Sequence, residues 1–166
     1  EAELKSLEVA VGKAMQEADA FRAIEGKDLE KDLCDRIKAI ENLTEEIKLL
    51  DKKRVTDIRE RLKNNLETFI PKDKVDQNRF EQEVVFYIEK LDISEEFSRL
   101  ASHCLHFIQT IKSTDDLIGR KLNFIAQEIG REINTIGSKA NDAGIQKHVV
   151  NMKDELEKIK EQVNNV

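Results

Sequence analysis

Residues 119–140 read GRKLNFIAQEIGREINTIGSKA, and this stretch decides how the chain is to be read. Wound on a helix at about 100° per residue, it resolves into three stripes. Leu122, Ile125, Ala126, Ile129, Ile133 and Ile136 fall in one narrow apolar band. Arg120, Asn123, Gln127, Arg131, Asn134 and Ser138 fall together on the opposite side, and Lys121, Glu128, Glu132 and Lys139 lie between them. The pattern is helical, with one face turned to a core. A solvated face is ordinarily built of Lys and Glu. Here it carries forked and amide donors suited to oriented hydrogen bonds.

The same period extends to both sides. From Leu4 to Leu62 apolar residues recur at steps of three and four, through Leu7, Val11, Phe21, Leu33, Ile37, Ile40, Ile47 and Ile58. The only breakers before Phe69 are Gly12 and Gly26, which a helix tolerates. We expect one very long helix, or two with a joint near Gly26 or Asp51. A break follows at Ile70-Pro71-Lys72-Asp73, and a second helix is expected from about Asp76 to Leu91. Asp92-Ile93-Ser94 supplies a cap for a third, from Glu95 to about Lys112. Ser113-Thr114-Asp115-Asp116 caps a fourth, expected to end near Ile136. Gly137 to Asp142 is expected as a turn, with Asn141 or Asp142 capping a last helix over about 143–163. No segment alternates as a strand does. The fold class is therefore all-α, an elongated bundle of long amphipathic helices, with residues 1–70 as a helical arm and 71–166 as a C-terminal helical domain.

Composition agrees. Of 166 residues, 39% are hydrophobic and 37% charged, which suits long helices with narrow apolar stripes. The net charge of −6 gives no overall basic footprint for nucleic acid, so any grip on a polyanion must be local. Cys34 and Cys104 form no CxxC and no metal-ligand spacing, and are read as free thiols of a reducing compartment. No apolar run reaches the length of a membrane span and no signal peptide is visible, so a cytoplasmic location is expected. The chain opens on Glu1 in what already reads as mid-helix, and a preceding segment is expected to be missing.

Several side chains suggest chemistry. Arg120 and Arg131, about 11 residues apart on one stripe, can grip phosphates or a partner's carboxylates. Glu128 and Glu132, one turn apart, can share a divalent cation, or can be plain surface carboxylates paired with Lys121. His103 is a candidate general acid or base, with His106 and His148 weaker. A lone helical histidine is more often structural. Glu83 flanks the apolar band of Phe80, Val84, Tyr87 and Leu91, aimed at a site or paired with an arginine of another helix. There is no phosphate-cradling glycine loop, HExxH, GxSxG or EF-hand spacing, and no aromatic platform for bases stands out.

These residues resemble a known family. Gly119-Arg-Lys-Leu, Gln127-Glu-Ile, Arg131-Glu and Asn134-Thr-Ile-Gly-Ser-Lys-Ala-Asn-Asp-Ala look like the C-terminal signature of the YicC/YloC endoribonucleases. The tail from Lys153 to Asn165 is similar to that family's closing helix. Residues 78–84 resemble its arginine and glutamine-glutamate segment, and 92–103 its histidine segment. Arg22, Glu25, Gly26, Leu29, Asp32, Leu33 and Arg36 resemble an earlier stretch. Asn123 stands where the family usually has Asp, and Gly130 where it usually has Asn. The resemblance implies an endoribonuclease dependent on Mn²⁺ or Mg²⁺, acting on RNA as a homo-oligomer, possibly a hexamer. It also implies that the family's N-terminal half, which includes β-structure, is absent here. On that footing His103, Glu128 and Glu132 are the catalytic candidates. Arg120, Gln127, Arg131, Asn134 and Lys139 are the phosphate-binding candidates, and Glu83, Glu128 and Glu132 the metal ligands. A helical scaffold and a non-cleaving RNA-binding regulator are the competing readings.

Overall fold

A computed structural model describes residues 2–69, 75–113 and 118–164. Five helices account for them: α1 (Ala2–Phe69), α2 (Gln77–Leu91), α3 (Ser94–Ile111), α4 (Ile118–Ala140) and α5 (Ala143–Val163). There is no strand among the described residues. The expected break at residues 70–73 and most of the 113–116 cap lie outside them.

α1 is one continuous helix of 68 residues, with no joint at Gly26 or Asp51. Nothing lies within 4 Å of where a Cβ would stand on Gly12 or Gly26, so these glycines serve no close packing. Residues 4–28 are exposed along their whole length, and burial begins only at Leu29. From there Leu33, Ile37, Ile40 and Ile47 enter the core at zero exposure. The core draws on both sequence segments, 1–70 and 71–166.

The other helices fold back along α1. α5 runs antiparallel to it, as the Arg36–Glu155 and Glu46–His148 pairings show. α4 packs between α5 and α3, and α3 closes the ring against α1. Apolar residues at helical spacing make the shared interior: Leu100 and Phe107 from α3, Ile129, Ile133 and Ile136 from α4, Met152, Leu156 and Ile159 from α5. Each such side chain contributes about 1.5–3 kcal/mol by leaving water.

Local chemistry sets the helix ends. Asp76 caps α2 by accepting the Asn78 and Arg79 N–H groups. Asp142 caps α5 through the Ile145 N–H at 3.0 Å. α4 does not stop near Ile136 but runs to Ala140, leaving only Asn141 and Asp142 as the connection. Asn141 takes the left-handed conformation, φ 44°, that the tight reversal needs. Gly137 is therefore a helix residue, not part of a turn. A Cβ there would come within 3.0 Å of Val149 Cγ1, so the glycine lets α4 and α5 approach closely.

A single side chain ties three of these elements together. Arg54 is 5% exposed. Its guanidinium donates to Asp51 on its own helix (2.8 Å), to the Leu91 carbonyl ending α2 (2.8 Å) and to the Ala140 carbonyl ending α4 (2.9 Å). It so satisfies carbonyls that a helix terminus leaves without partners, with a positive charge where the helix dipole favours one. α2 is otherwise lightly held, with Val84 its only buried residue among those described.

Candidate functional site

The three stripes of α4 meet three different environments. The apolar band is buried. Arg120, Gln127, Arg131, Asn134 and Ser138 are exposed and Asn123 is half-buried, so the amide and arginine stripe faces outward. Arg131 is 72% exposed, its guanidinium 3.5 Å from the half-exposed Glu128. Gln127 donates to the Asn123 side-chain oxygen at 3.5 Å, one turn back. Among the described residues Arg120 has no ion-pair partner. A rise of about 1.5 Å per residue puts Arg120 and Arg131 roughly 16 Å apart along the axis, farther than adjacent phosphates lie. Phe124, which the sequence reading passed over, also stands on this face at 61% exposure.

The intermediate stripe turns into the seam between α3 and α4. Glu132, a metal-ligand candidate or else a surface carboxylate on the sequence, is 4% exposed. It accepts a hydrogen bond from Arg99 Nε at 3.0 Å. The same guanidinium reaches Glu96 at 3.0 Å and Glu95 at 3.0 Å. Glu96 is itself buried, and its Oε1 also receives Lys139 Nζ at 2.9 Å. Lys139 further donates to the Asp92 carbonyl at 3.1 Å, so this phosphate-binding candidate is engaged in the seam. Two buried carboxylates are thus held by two half-exposed cations, an arrangement in which removing Arg99 strands the Glu132 charge while Glu96 keeps Lys139. The bond to Glu132 raises the Arg99 guanidinium above its usual range, and the bond from Ser94 holds Asp92 below the usual carboxylate range. Glu96 and Arg99 were not singled out from the sequence. The signal was present: acidic residues three and four positions before an arginine, with Glu96 at the border of the Leu100–Phe107 band.

His103 is half-buried on α3, one turn beyond Arg99. Because α3 and α4 are antiparallel and Arg99 meets Glu132, the register brings His103 to the level of Glu128. His106 is exposed, and His148 lies 3.0 Å from Glu46 on the far side of α5. Glu83 is exposed on α2 beside an apolar cleft of Leu62, Leu66, Phe80, Val84 and Tyr87. It does not join Glu128 and Glu132. No three His, Cys, Asp or Glu side chains among the described residues converge in a way that could hold a metal ion. The carboxylate trio expected to bind a divalent cation does not fit one by itself, since Glu132 is already committed to Arg99. Both cysteines are free, and burial pushes the Cys104 thiol up to about 12.

Residues 47–166 match the family described as endoribonuclease YicC-like, C-terminal. The chain belongs to the YicC-like family. Every candidate site residue from Glu83 to Lys139 lies inside that match. The probable endoribonuclease YicC of Clostridioides difficile (strain 630) is 41% identical over 161 residues, covering 96% of this chain and 55% of the relative. The probable endoribonuclease YicC of Haemophilus influenzae (strain ATCC 51907 / DSM 11121 / KW20 / Rd) is 31% identical over 147 residues, 89% of this chain and 50% of the relative. This YicC-like chain thus spans about half the length of the curated relatives it matches.

Proposed function

We propose that this YicC-like chain is the helical half of an endoribonuclease and that RNA lies along the outer face of α4. The observation that carries the reading is the division of charge on that helix. Glu132 is buried against Arg99 and Glu128 is paired with Arg131, while Arg120, Gln127, Arg131 and Asn134 stand exposed. The outer face is therefore one of donors, although the chain as a whole is acidic. Such a face suits the phosphates and sugars of RNA. It has no comparable use in a plain scaffold, which needs an apolar seam.

His103, at the level of Glu128, supports cleavage through the ribose 2′-hydroxyl. His103 takes the hydroxyl proton, the 2′ oxygen bonds to phosphorus, and the bond from phosphorus to the 5′ oxygen breaks. The 5′ oxygen leaves with a proton from solvent, and a 2′,3′-cyclic phosphate results. Removing a general base of this kind costs about 10²–10⁴-fold in rate. Dependence on Mn²⁺ or Mg²⁺ is tested alongside, because Glu132 is held by Arg99 and no three ligand side chains converge among the described residues. Self-association also belongs to it, and the exposed Leu4, Leu7, Val11 and Phe21 along α1 support it. So does a cytoplasmic setting, supported by the two free thiols. No helix among the described residues is long and apolar enough to cross a membrane.

The test is cleavage of labelled structured RNA by the chain and by a protein of the relatives' full length, with Mn²⁺, Mg²⁺ or EDTA. Light scattering follows the oligomer. We expect cyclic-phosphate ends, a loss of at least about 100-fold in His103→Gln, and weakened RNA binding in Arg131→Ala without loss of assembly. RNA binding without cleavage at either length would favour a regulator that recruits another nuclease. Loss of assembly in Gln127→Ala and Asn134→Ala, with no RNA affinity in the parent, would favour the scaffold.

A further inference from the structure

Phe124 is a large apolar side chain at 61% exposure in the middle of a polar face. Scattered exposed hydrophobics are ordinary, so its surroundings decide its meaning. Counting from Arg120 at about 100° per residue, Phe124 lies at about 40° and Arg131 at about 20°, with Gln127 and Asn123 close on the other side. The ring is flanked by a guanidinium one turn before it, an amide one turn after it, and a second guanidinium two turns after it. Together with Gly119, Val163 and Asn164, residues Arg120, Asn123, Phe124 and Gln127 line a pocket of about 360 Å³. Phe86, another exposed phenylalanine, already has the Lys90 ammonium over its ring at 4.4 Å. Phe124 has no ring or cation contact among the described residues.

An apolar partner helix would need apolar neighbours around Phe124, and the outer face supplies donors instead. A nucleotide matches on each count. Its base has a flat face for the ring, its edge has polar atoms for the Asn123 and Gln127 amides, and its phosphate suits Arg120. Stacking of this kind requires a base that is not already stacked and paired within a duplex.

We infer that Phe124 is the stacking platform for an unpaired base of single-stranded RNA, with Arg120 on the phosphate and Asn123 and Gln127 at the base edge. The inference rests on the proposed RNA-binding reading and deepens it, because it selects single-stranded segments or loops over duplex.

The chain contains no tryptophan and one tyrosine, so Phe124→Trp places its single indole on the platform, where tryptophan-selective excitation reads it alone. Titration with an unstructured oligoribonucleotide should quench that fluorescence, and a blunt duplex of the same sequence should not. In parallel, anisotropy of the labelled single strand should show Phe124→Ala binding about 5- to 150-fold more weakly than the parent. Phe124→Leu should be as weak as the alanine variant, and Phe124→Trp should be restored. Single-strand binding by the parent, with unquenched tryptophan and undiminished affinity in Phe124→Ala, would overturn the stacking inference and leave the RNA-binding reading standing. No RNA binding by the parent would overturn both. A lower light-scattering mass for Phe124→Ala, with its RNA affinity intact, would make the residue an interface contact and overturn the inference as well.

Discussion

The Asp92 carboxylate accepts the Ser94 N–H at 3.1 Å and the Ser94 hydroxyl at 2.6 Å, and its backbone carbonyl takes Lys139. One short side chain so fixes the entry to α3, one turn before Glu96 and two before Arg99. Because the bonds from Ser94 favour the ionised form, the folded chain holds Asp92 below its ordinary value. The unfolded chain then binds the proton more readily, and stability rises with pH across that interval. The contribution is complete above the ordinary value of about 3.9 and is lost as pH falls through the lower folded value. Removing the bonds to Ser94 with Asp92→Ala should cost about 1 kcal/mol at neutral pH. Urea midpoints at pH 3 and pH 7 check this. The gap between parent and variant should narrow at the acid end, and an equal gap at both values would refute the assignment. The start of α3 at Asp92-Ile93-Ser94 was readable in the sequence because a helix entry is local chemistry, although the N-cap residue is Ile93 and its side chain makes no cap bond. The partners of Glu132 were not, since they belong to a different helix and no spacing within α4 announces Arg99.

At the scale of the element, α4 shows what periodicity can and cannot reveal. All six residues of its apolar band are buried as expected, because a 3.6-residue period with no competing strand pattern has one solution. Its end was misplaced by four residues because a glycine after an apolar run is the usual stop signal, and Gly137 serves another purpose. Gly130 and Gly137 give a paired test. A Cβ at either position would come within 3.0 Å of a side chain on α5, Leu156 Cδ2 or Val149 Cγ1. Leu156 meets it with the far end of a flexible side chain. Val149 is β-branched, stiff about its first torsion and 2% exposed. Alanine gains about 1 kcal/mol of helix propensity over glycine at either site. Gly130→Ala should keep much of that gain and melt at or above the parent. Gly137→Ala should be destabilised by about 1–3 kcal/mol, as overpacked cores are. Thermal and urea unfolding measure both, and matching midpoints for the two variants would show that Val149 yields as readily as Leu156.

For the whole molecule, the all-α class and the donor face of α4 were legible because each follows from residues near one another in sequence. The carboxylate seam and the Arg54 clasp on two helix ends were not, because they depend on how helices are placed, and the same holds for the lack of a three-ligand metal group among the described residues. The unbroken length of α1 has a hydrodynamic consequence. At about 1.5 Å per residue, its 68 residues extend roughly 100 Å. A compact chain of this size has a radius of gyration of only about 15 Å. Frictional drag is therefore set by the rod and not by the mass, and tumbling about the long axis is much faster than end over end. A monomer of 19.1 kDa should leave a sizing column well ahead of globular standards of its own mass. Light scattering on the eluting peak separates this from true assembly. A 19.1 kDa species that elutes where a compact globule does would show that residues 4–28 fold back onto the bundle in solution. Until scattering mass is known, early elution says how long this molecule is, and not how many copies it contains.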